Sequence, residues 1–321
     1  MKKIFIISTT YIATGGTELL QQLCYKLNSM GQDARMMYTQ PYDNSNVQKR
    51  FETIYNNPYC YEFEDEDDNI IVVPESIIEY VYKVKKAKMY LWWLSVDNYY
   101  GAFTKKENCL KHCYHQINHL RNKSVFKNIK HLVQSEYARL YLLNEFNVSG
   151  DCIFYLSDYL NKSYLQKATS TTSKVRKDQI IYNPRKGFEF SQKIMQLVTE
   201  YEWVPLQGYT PDQMVSVMNE SKVYVDFGNH PGKDRIPREA AMCGCCVITG
   251  KRGAAANSKD ILIPDDYKFS DDDNNIDLIK KCISTCMEFF DDKTKDFDMY
   301  RNRIMSEEEQ FESDIKQIFI E

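Results

Sequence analysis

The chain has 321 residues, a net charge of −4, 43% hydrophobic residues and 27% charged residues. This length exceeds a single hydrophobic core and predicts about two domains, and the composition is typical of a soluble globular enzyme without nucleic-acid binding. Its apolar runs are far shorter than the ~20 residues of a membrane-spanning helix, and the apolar start is too short for a signal peptide. The ten cysteines are scattered and form no regular disulfide framework, which favours reduced thiols and a cytoplasmic location.

Short apolar runs alternate with helical periodicity in the first half of the chain, the pattern of a mostly parallel sheet covered by helices. Strands are predicted at residues 4–8, 34–38, 70–73, 89–94, 131–134 and 152–155, with a helix between the first two that ends at Gly31. Ser135 is expected to cap a helix that runs to Glu145. The acidic run from Glu62 to Asp68 is interpreted as a solvated loop rather than a metal site, since it lacks a turn-forming glycine.

A pair of glycines, Gly15 and Gly16, separates the first predicted strand from the first predicted helix. In that position the backbone N–H groups at the helix start are able to approach a phosphate or a sugar. The alternative is a plain turn between a strand and a helix. The segment is neither a Gly-x-Gly-x-x-Gly motif nor a P-loop, which disfavours a dehydrogenase and a nucleotide hydrolase.

The segment from Trp92 to Tyr100 ends another predicted strand and combines polar groups with aromatic rings. Such a composition suits stacking and hydrogen bonding to a sugar, with Asp97 as a group that orients an acceptor hydroxyl. The equal alternative is that Trp92 and Trp93 pack on opposite faces of the sheet while Asp97 only caps the next turn.

A basic segment runs from Lys105 to Arg139, with eight Lys or Arg against two Glu and a net charge of +6. It is a candidate for contact with anionic lipid or a phosphorylated acceptor. Within it His112, His115 and His119 lie near two cysteines, but we interpret them as a solvated or acceptor-facing surface and predict no metal site, because no His-Glu-x-x-His arrangement is present.

Residues 161–177 are rich in Ser, Thr and Lys and are predicted to be a linker before a second wound half. Strands are expected there at residues 179–182, 203–206, 222–227 and 245–249, and helices at 188–199 and 276–290. Thr210 and Pro211 predict a capped helix start. A last amphipathic segment places Ile304, Phe311, Ile315 and Ile318 on one face. Cys243 to Cys246 are expected to be buried at a turn from a helix to a strand.

Two adjacent cations, Arg185 and Lys186, follow a predicted strand of this second half and precede Gly187 and a helix. Adjacent cations at a helix start attract an anion, and a diphosphate is the candidate. The alternative is solvated surface charge.

The stretch from Val225 to Ala241 carries an unusual density of charged and turn-forming residues, which predicts a ligand site. Its loop brings polar groups to the carboxyl end of a strand, where α/β sheets bind ligands. These loop residues are His230, Gly232, Lys233, Asp234 and Arg235. A short helix is predicted to begin at Pro237 and to end at Gly244, with Glu239 in its first turn.

These residues together resemble a GT-B glycosyltransferase of the retaining, glycogen-synthase-like superfamily found in bacterial polysaccharide biosynthesis. Gly15-Gly16-x-Glu18 is similar to the amino-terminal Gly-Gly-x-Glu loop of that family, and Arg185-Lys186-Gly187 to its diphosphate-binding element. Residues 238–248 are similar to its Glu-Ala-x-x-x-Gly-x-Pro-Val-Ile block. The resemblance implies two Rossmann-like domains facing an interdomain cleft, with Glu239 on the donor ribose and Gly253 and Ala254 near the nucleotide or sugar.

The chain departs from this family at the position eight residues before Glu239, where Pro231 replaces a Glu. Asp234 is the candidate for its role. A His usual in the amino domain is replaced by Ser95 and Asp97. The resemblance implies catalysis by Asp97, Asp234, Lys186 and Arg185, with fixed cations stabilising the departing diphosphate and no metal or cofactor required.

The resemblance divides the chain into an acceptor domain, residues 1–165 with a crossing helix at 300–321, and a donor domain, residues 175–299. The implied activity is hexosyl transfer from a nucleotide sugar to a saccharide or lipid-linked acceptor in capsule or other surface polysaccharide synthesis. Such an enzyme is expected in the cytoplasm, with peripheral contact to the membrane. The alternatives are a nucleotide-sugar 2-epimerase of the same fold and a non-catalytic nucleotide-sugar-binding subunit.

Overall fold

The computed structural model describes residues 2–11, 14–41, 46–101, 119–170 and 175–321, and the side chains of 46–50, 100 and 101 are left out of the description. The chain divides into two compact units. The first comprises Met1–Asp158 with Phe311–Glu321, and the second comprises Tyr159–Gln310. No helix among the described residues combines the length and apolar character needed to cross a membrane.

The first unit contains a parallel sheet that has seven strands within its described residues, in the order β3-β2-β1-β4-β5-β6-β7. The strands are β1 (Lys3–Ser8), β2 (Asp33–Tyr38), β3 (Tyr59–Cys60), β4 (Ile70–Pro74), β5 (Lys88–Trp93), β6 (Lys130–Val133) and β7 (Ile153–Tyr155). Helical segments lie at Gly15–Ser29, Asn46–Tyr55, Glu75–Tyr82, Val96–Gly101, 119–126, Glu136–Phe146 and Gly150–Cys152. The strand order reverses between β1 and β4, so the loops that follow these two strands diverge at one edge of the sheet.

The sheet is buried on both faces, which explains its continuous apolar runs. Ile4, Ile6 and Ile7 of β1 are fully buried. Trp92 and Trp93 at the end of β5 are fully buried as well, and their indole N–H groups donate to the Leu156 carbonyl oxygen and to Nδ1 of His131. The core interpretation of the two tryptophans is therefore confirmed.

The second unit contains a parallel sheet whose described strands follow the order β12-β11-β10-β8-β9. These are β8 (Lys177–Tyr182), β9 (Glu202–Pro205), β10 (Ser221–Asp226), β11 (Cys246–Gly250) and β12 (Lys268–Phe269). Helical segments lie at Lys162–Ser170, Phe188–Leu197, Pro211–Glu220, Arg235–Met242, Gly253–Ala256, Asp265–Tyr267, Asp273–Asn275, Ile276–Glu288, Phe290–Lys293, Thr294–Phe297, Asp298–Met305 and Glu307–Ile315. In this sheet the order reverses between β8 and β10.

The predicted strands of both halves are confirmed, with shifts of one or two residues at their ends. Local signals are confirmed as well: Ser135 caps the helix Glu136–Phe146, and Thr210 forms a capping box with Gln213 at the start of the helix that begins at Pro211. Cys243, Cys245 and Cys246 are buried at the turn from a helix to β11. Two short strands, β3 and β12, carry too few residues for a sequence pattern and were not predicted.

The predicted linker at 161–177 is wrong for residues 162–170, and residues 171–174 lie outside the described part of the chain. Residues Lys162–Ser170 form a helix that buries Leu165 and Ala168, and β8 begins at Lys177. Two buried side chains suffice to dock a helix of this length, although its remaining Ser, Thr and Lys residues resemble a loop. The basic segment is described only in part, because residues 102–118, with His112, His115 and both nearby cysteines, lie outside the described residues.

The carboxyl-terminal segment buries the apolar side chains predicted to share one face, namely Ile304, Phe311, Ile315 and Ile318. It is a succession of helices that ends in a π-helical turn at Lys316–Ile320. The chain enters the first unit at Phe311, inside the helix Glu307–Ile315. There Glu312 forms an ion pair with Lys26 at 2.6 Å.

Candidate functional site

Three loops of the second unit meet at the carboxyl edge of its sheet, beside the reversal of strand order. They follow β8 (residues 183–187), β10 (residues 227–234) and β11 (residues 251–255). Parallel neighbours end at the same edge, and this reversal point is the usual ligand position in α/β sheets. The two regions predicted to bind a nucleotide sugar, around Lys186 and around Asp234, are thus brought together.

The first two loops touch backbone to backbone through glycines. Gly187 has a φ of +64°, and a Cβ atom there would lie 2.2 Å from the carbonyl oxygen of Phe227. A Cβ atom on Gly228 would lie 2.4 Å from Cβ of Lys186. These distances are far below van der Waals contact, so only glycine fits at either position. The contact fixes Lys186 next to the loop that follows β10.

The third loop is held against His230 in the same way. Gly253 has a φ of +57°, and its Cβ would lie 2.1 Å from the His230 carbonyl oxygen. The Ala254 N–H donates to that oxygen at 2.8 Å. Gly253 and Ala254 therefore position the His230 backbone, while their predicted place near the nucleotide stays a prediction.

A line of polar side chains runs through this junction. The Tyr224 hydroxyl donates to Oδ2 of Asp226 at 2.6 Å, and the Gly228 N–H donates to Oδ1 at 2.8 Å. Nε2 of His230 lies 3.8 Å from Oδ1 of Asp226, and its Nδ1 lies 3.3 Å from Oδ2 of Asp234. The Lys186 ammonium donates to the same Oδ2 of Asp234 at 2.8 Å.

The pKa shifts in this line follow from burial and charge together. Burial alone lowers the pKa of His230, but its neighbours Asp234 and Asp226 outweigh burial and raise that pKa above its usual value. Burial alone raises the pKa of Asp234, but His230 and Lys186 outweigh it and lower that pKa. Both shifts favour the charged forms of His230 and Asp234.

The group Asp226, His230 and Asp234 also offers ligand atoms within 4.8 Å of one another, as a cation site would. However, the two carboxylates face different nitrogens of the imidazole ring, Nε2 and Nδ1. Both oxygens of Asp226 already accept hydrogen bonds, and Oδ2 of Asp234 already contacts an ammonium. The donor set therefore fits a protonated imidazole between two carboxylates better than a shared metal ion.

A buried ion cluster anchors the end of the loop that follows β10. Glu307 contacts the Lys233 ammonium at 2.5 Å and Nη1 of Arg238 at 2.8 Å, and Arg238 is fully buried. Nη2 of Arg238 also donates to the Lys233 carbonyl oxygen at 3.3 Å. The Lys233 side chain is thus directed at Glu307, whereas its predicted contact with the sugar is untested.

The helix that carries Glu239 starts earlier than predicted. It spans Arg235–Met242, with Asp234 at the N-cap position and Pro237 as its third residue. The first N–H groups of a helix have no intrahelical partner, so proline is tolerated throughout this first turn and does not mark the start. Glu239 is therefore half-buried in the second turn, and its prediction in the first turn is wrong.

The other candidates around this edge differ in exposure. Arg185 is exposed, and its backbone N–H donates to Oδ1 of Asn183 at 3.1 Å. Arg235 is half-buried, and Gly232 is buried.

In the first unit, Gly15 and Gly16 are the first two residues of a helix capped by Thr14. A Cβ on Gly16 would meet Leu94 at an ordinary 3.5 Å, so packing alone does not require glycine there. Glu18 is buried and accepts a hydrogen bond from the Tyr55 hydroxyl at 2.9 Å.

Asp97 is half-buried in the first turn of the helix Val96–Gly101. The Tyr137 hydroxyl contacts its Oδ1 at 3.4 Å. The cap of this helix is the Ser95 hydroxyl, which accepts from the Asn98 N–H at 3.2 Å. The predicted role of Asp97 in orienting an acceptor hydroxyl and its alternative role as a cap of the next turn both stay predictions.

Sequence reasoning gave no role to three buried carboxyl groups, Asp226, Glu307 and Glu75. Glu75 follows β4 and accepts a hydrogen bond from the Leu94 N–H at 2.9 Å. Asp226 and Glu75 share a recognisable signal, since each is a carboxylate at the end of an apolar strand. Glu307 lies in an acidic run that resembles a solvated helix start.

No protein-family model matches the chain, and no curated protein matches its sequence. Solved structures match it over almost its whole length. Sucrose-phosphate synthase from Thermosynechococcus elongatus has a TM-score of 0.68 at 13% identity and covers 99% of this chain and 98% of its own. A glycosyltransferase from Rickettsia africae has a TM-score of 0.66 at 12% identity, covering 100% and 99%.

A third structure, HepE from Anabaena in complex with UDP-glucose, has a TM-score of 0.65 at 10% identity and covers 99% of this chain and 100% of its own. Identities this low establish shared architecture only. Two parallel α/β sheets and this set of structural neighbours define the fold as GT-B, as the sequence resemblance implied.

Proposed function

We propose that this chain is a glycosyltransferase that takes a nucleotide-diphosphate sugar as donor. The observation that supports this most is the placement of the Lys186 ammonium at the sheet reversal of the second unit, on a loop fixed by glycine contacts. Arg185 is next to it, and the helix Phe188–Leu197 begins two residues later. Two cations and the free N–H groups of a helix start form a binding site for a diphosphate.

In the proposed reaction, the bond between the anomeric carbon of the sugar and the diphosphate oxygen breaks, and its electron pair leaves with the diphosphate. Lys186 and Arg185 stabilise the negative charge that grows there, so no metal ion is needed. The acceptor hydroxyl oxygen forms the new bond and gives its proton to Asp97, which also orients it. The backbone at Gly15 and Gly16 is proposed to contribute N–H groups to the diphosphate.

The remaining donor contacts are proposed from the same residues. Glu239 is assigned to the ribose, Asp234 to the sugar in place of the family acidic residue, and Gly253 and Ala254 to the nucleotide side. His230, Lys233 and Arg235 are assigned to the surroundings of the sugar. HepE was solved with UDP and with UDP-glucose, which makes uridine diphosphate the first nucleotide to try.

The finer functional assignment is hexosyl transfer to a saccharide or lipid-linked acceptor in bacterial surface polysaccharide synthesis. We place this activity in the cytoplasm, with the segment from Lys105 to Arg139 in peripheral contact with anionic lipid. Its net charge of +6 supports that contact. Equal partitioning of the protein onto neutral and anionic vesicles would contradict it.

The donor assignment is tested by screening UDP, GDP, ADP and TDP by thermal shift, then titrating the best ligand by calorimetry. Lys186→Ala is expected to weaken binding about ten- to a hundredfold, the loss of one charge-assisted contact. Lys193→Ala is the matched control, because Lys193 lies on the adjacent helix and forms an exposed ion pair with Asp273. Equal affinities for both variants and the unmodified protein would refute the assignment.

A further inference from the structure

The His230 side chain is fully buried, yet neither ring nitrogen has a hydrogen-bond partner of good geometry. Each nitrogen instead faces one carboxylate, Nδ1 toward Asp234 at 3.3 Å and Nε2 toward Asp226 at 3.8 Å. A buried imidazole without hydrogen bonds is costly. The charges of the neighbouring carboxylates must therefore offset the cost of burying this ring.

Carboxylates only accept hydrogen bonds, so a ring that faces one carboxylate on each side is matched when both nitrogens carry a proton. That form is the imidazolium cation. The imidazolium stabilises the Asp226 carboxylate in particular, because the hydrogen-bond donors of Asp226, the Tyr224 hydroxyl and the Gly228 N–H, are both neutral. The geometry thus defines a cation enclosed by two anions.

Asp234 is shared between this imidazole and Lys186, since both approach its Oδ2 atom. The four side chains carry two negative and two positive charges when His230 is protonated. If His230 were neutral, these four side chains would carry two negative charges and one positive charge, and moving the Lys186 ammonium toward a ligand would leave Asp234 without the cation that contacts it.

We propose that His230 is a positioning residue, whose imidazolium holds Asp234 and thereby leaves the Lys186 ammonium available to a nucleoside diphosphate. This inference rests on the proposed donor-binding function. It gives His230 an indirect role, because the ring is fully enclosed by protein. Binding of the diphosphate exchanges the partner of Lys186 from Asp234 to phosphate, and Asp234 keeps the imidazolium as its counter-ion.

The proposal has a consequence for pH. The charged and titratable groups that face the ring are Asp226 of β10, Asp234 ahead of the next helix, and Lys186 from the loop after β8, with Tyr224 behind Asp226. The pKa of His230 is raised, so the cation persists to a higher pH than in an ordinary histidine and is lost as the pH rises through that raised value. Diphosphate affinity should be highest below that pH and fall above it.

The first test is calorimetric titration of the unmodified protein and of His230→Gln with the best-binding diphosphate, from about pH 6 to about pH 9. The unmodified protein should lose affinity as the pH rises. His230→Gln should bind about tenfold more weakly at neutral pH, the loss of roughly one charge contact, and with a flatter pH profile. The corresponding nucleoside, which lacks the diphosphate, should bind both proteins equally.

A second variant separates charge from shape. Adding Asp234→Asn to His230→Gln removes the carboxylate that pairs with Lys186 together with the imidazolium, so it should recover most of the lost diphosphate affinity. A purely structural role of His230 predicts the opposite, because two substitutions in one buried cluster damage it more than one. Absence of recovery, with both variants folded by thermal unfolding, would overturn the proposal.

Nitrogen NMR of the histidines in the unmodified protein provides a readout that needs no variant. Two protonated ring nitrogens on His230 at neutral pH are expected, and a neutral tautomer would overturn the proposal. So would Mg²⁺ or Zn²⁺ that raises diphosphate affinity in the unmodified protein but not in His230→Gln, since that result would indicate a metal site. If the unmodified protein binds no diphosphate at all, the proposed function itself fails.

Discussion

Replacing Gly187 by Ala should lower both the stability of the second unit and its affinity for the diphosphate, because this glycine is constrained in two ways. Its φ of +64° lies in the left-handed region, and its missing side chain makes room for the backbone of Phe227, 2.2 Å from a built Cβ atom. The unit offers a matched control. Gly208 has a similar φ of +77°, but nothing lies within 4 Å of its Cβ position.

The control therefore carries only the conformational cost, which is about 1–2 kcal/mol for an alanine in the left-handed region. Gly187→Ala carries the same cost plus an overlap with backbone atoms that cannot rotate away. Overpacking of this kind adds about 1–3 kcal/mol, so the total loss is about 2–5 kcal/mol. In a unit of this size each kcal/mol lowers the unfolding midpoint by about 2–4 °C.

Both glycines belong to the same compact unit, so one thermal transition reports on both variants. Thermal unfolding followed by circular dichroism gives the stabilities, and calorimetric titration with the chosen diphosphate gives the binding. Gly208→Ala should bind normally. Gly187→Ala should be less stable than Gly208→Ala and should bind more weakly, since its overlap pushes Lys186 away from the loop after β10. Equal stabilities, or normal binding by Gly187→Ala, would refute the packing argument.

Two further predictions concern buried carboxyl groups. Burial raises the pKa of Glu75 to about 8 from 4.5, so the folded chain keeps a proton that the unfolded chain loses, and the free energy of unfolding should fall as the pH rises between these values. Glu75→Gln should flatten that fall in urea unfolding, and an unchanged slope would contradict the assignment. Glu307→Gln leaves the cations of Lys233 and Arg238 with a neutral partner and should cost about 3–5 kcal/mol. The exposed Glu309→Gln should change stability by less than about 0.5 kcal/mol in the same assay, and similar losses for both would show that the buried cluster is not needed.

The strands were predictable because a parallel sheet buried on both faces requires continuous apolar runs, as in Ile4 to Ile7 and Val223 to Val225. Helix starts were predictable where a capping side chain marks them, as at Ser135 and Thr210. The start at Arg235 was missed because Pro237 was interpreted as the first helical residue, whereas proline fits anywhere in the first turn and is the third residue of this helix.

The site itself was predictable only as a set of segments. The sequence places Lys186 after one strand and Asp234 after another, and both were candidates, but they are 48 residues apart and nothing local pairs them. Their pairing depends on the contact between Gly187 and the backbone at Phe227, which is a property of the folded sheet. The pairing of Asp226 with His230 is likewise a property of the folded loop. The two hydrogen-bond donors of Asp226 lie on its own strand and at the start of the following loop, whereas His230 lies further along that loop.

This arrangement bears on the missing acidic residue at Pro231. Lys186 and His230 both approach Oδ2 of Asp234. A carboxylate held through one oxygen has its second oxygen in a fixed direction, which is what a hydrogen bond to a sugar hydroxyl requires. The imidazolium keeps that orientation when Lys186 moves to the diphosphate. The proposed replacement of the family Glu by Asp234 therefore depends on His230, and one titration tests both assignments. If Asp234 contacts the sugar, His230→Gln should weaken binding of the nucleotide sugar more than binding of the diphosphate alone. Equal weakening of both ligands would contradict the contact between Asp234 and the sugar.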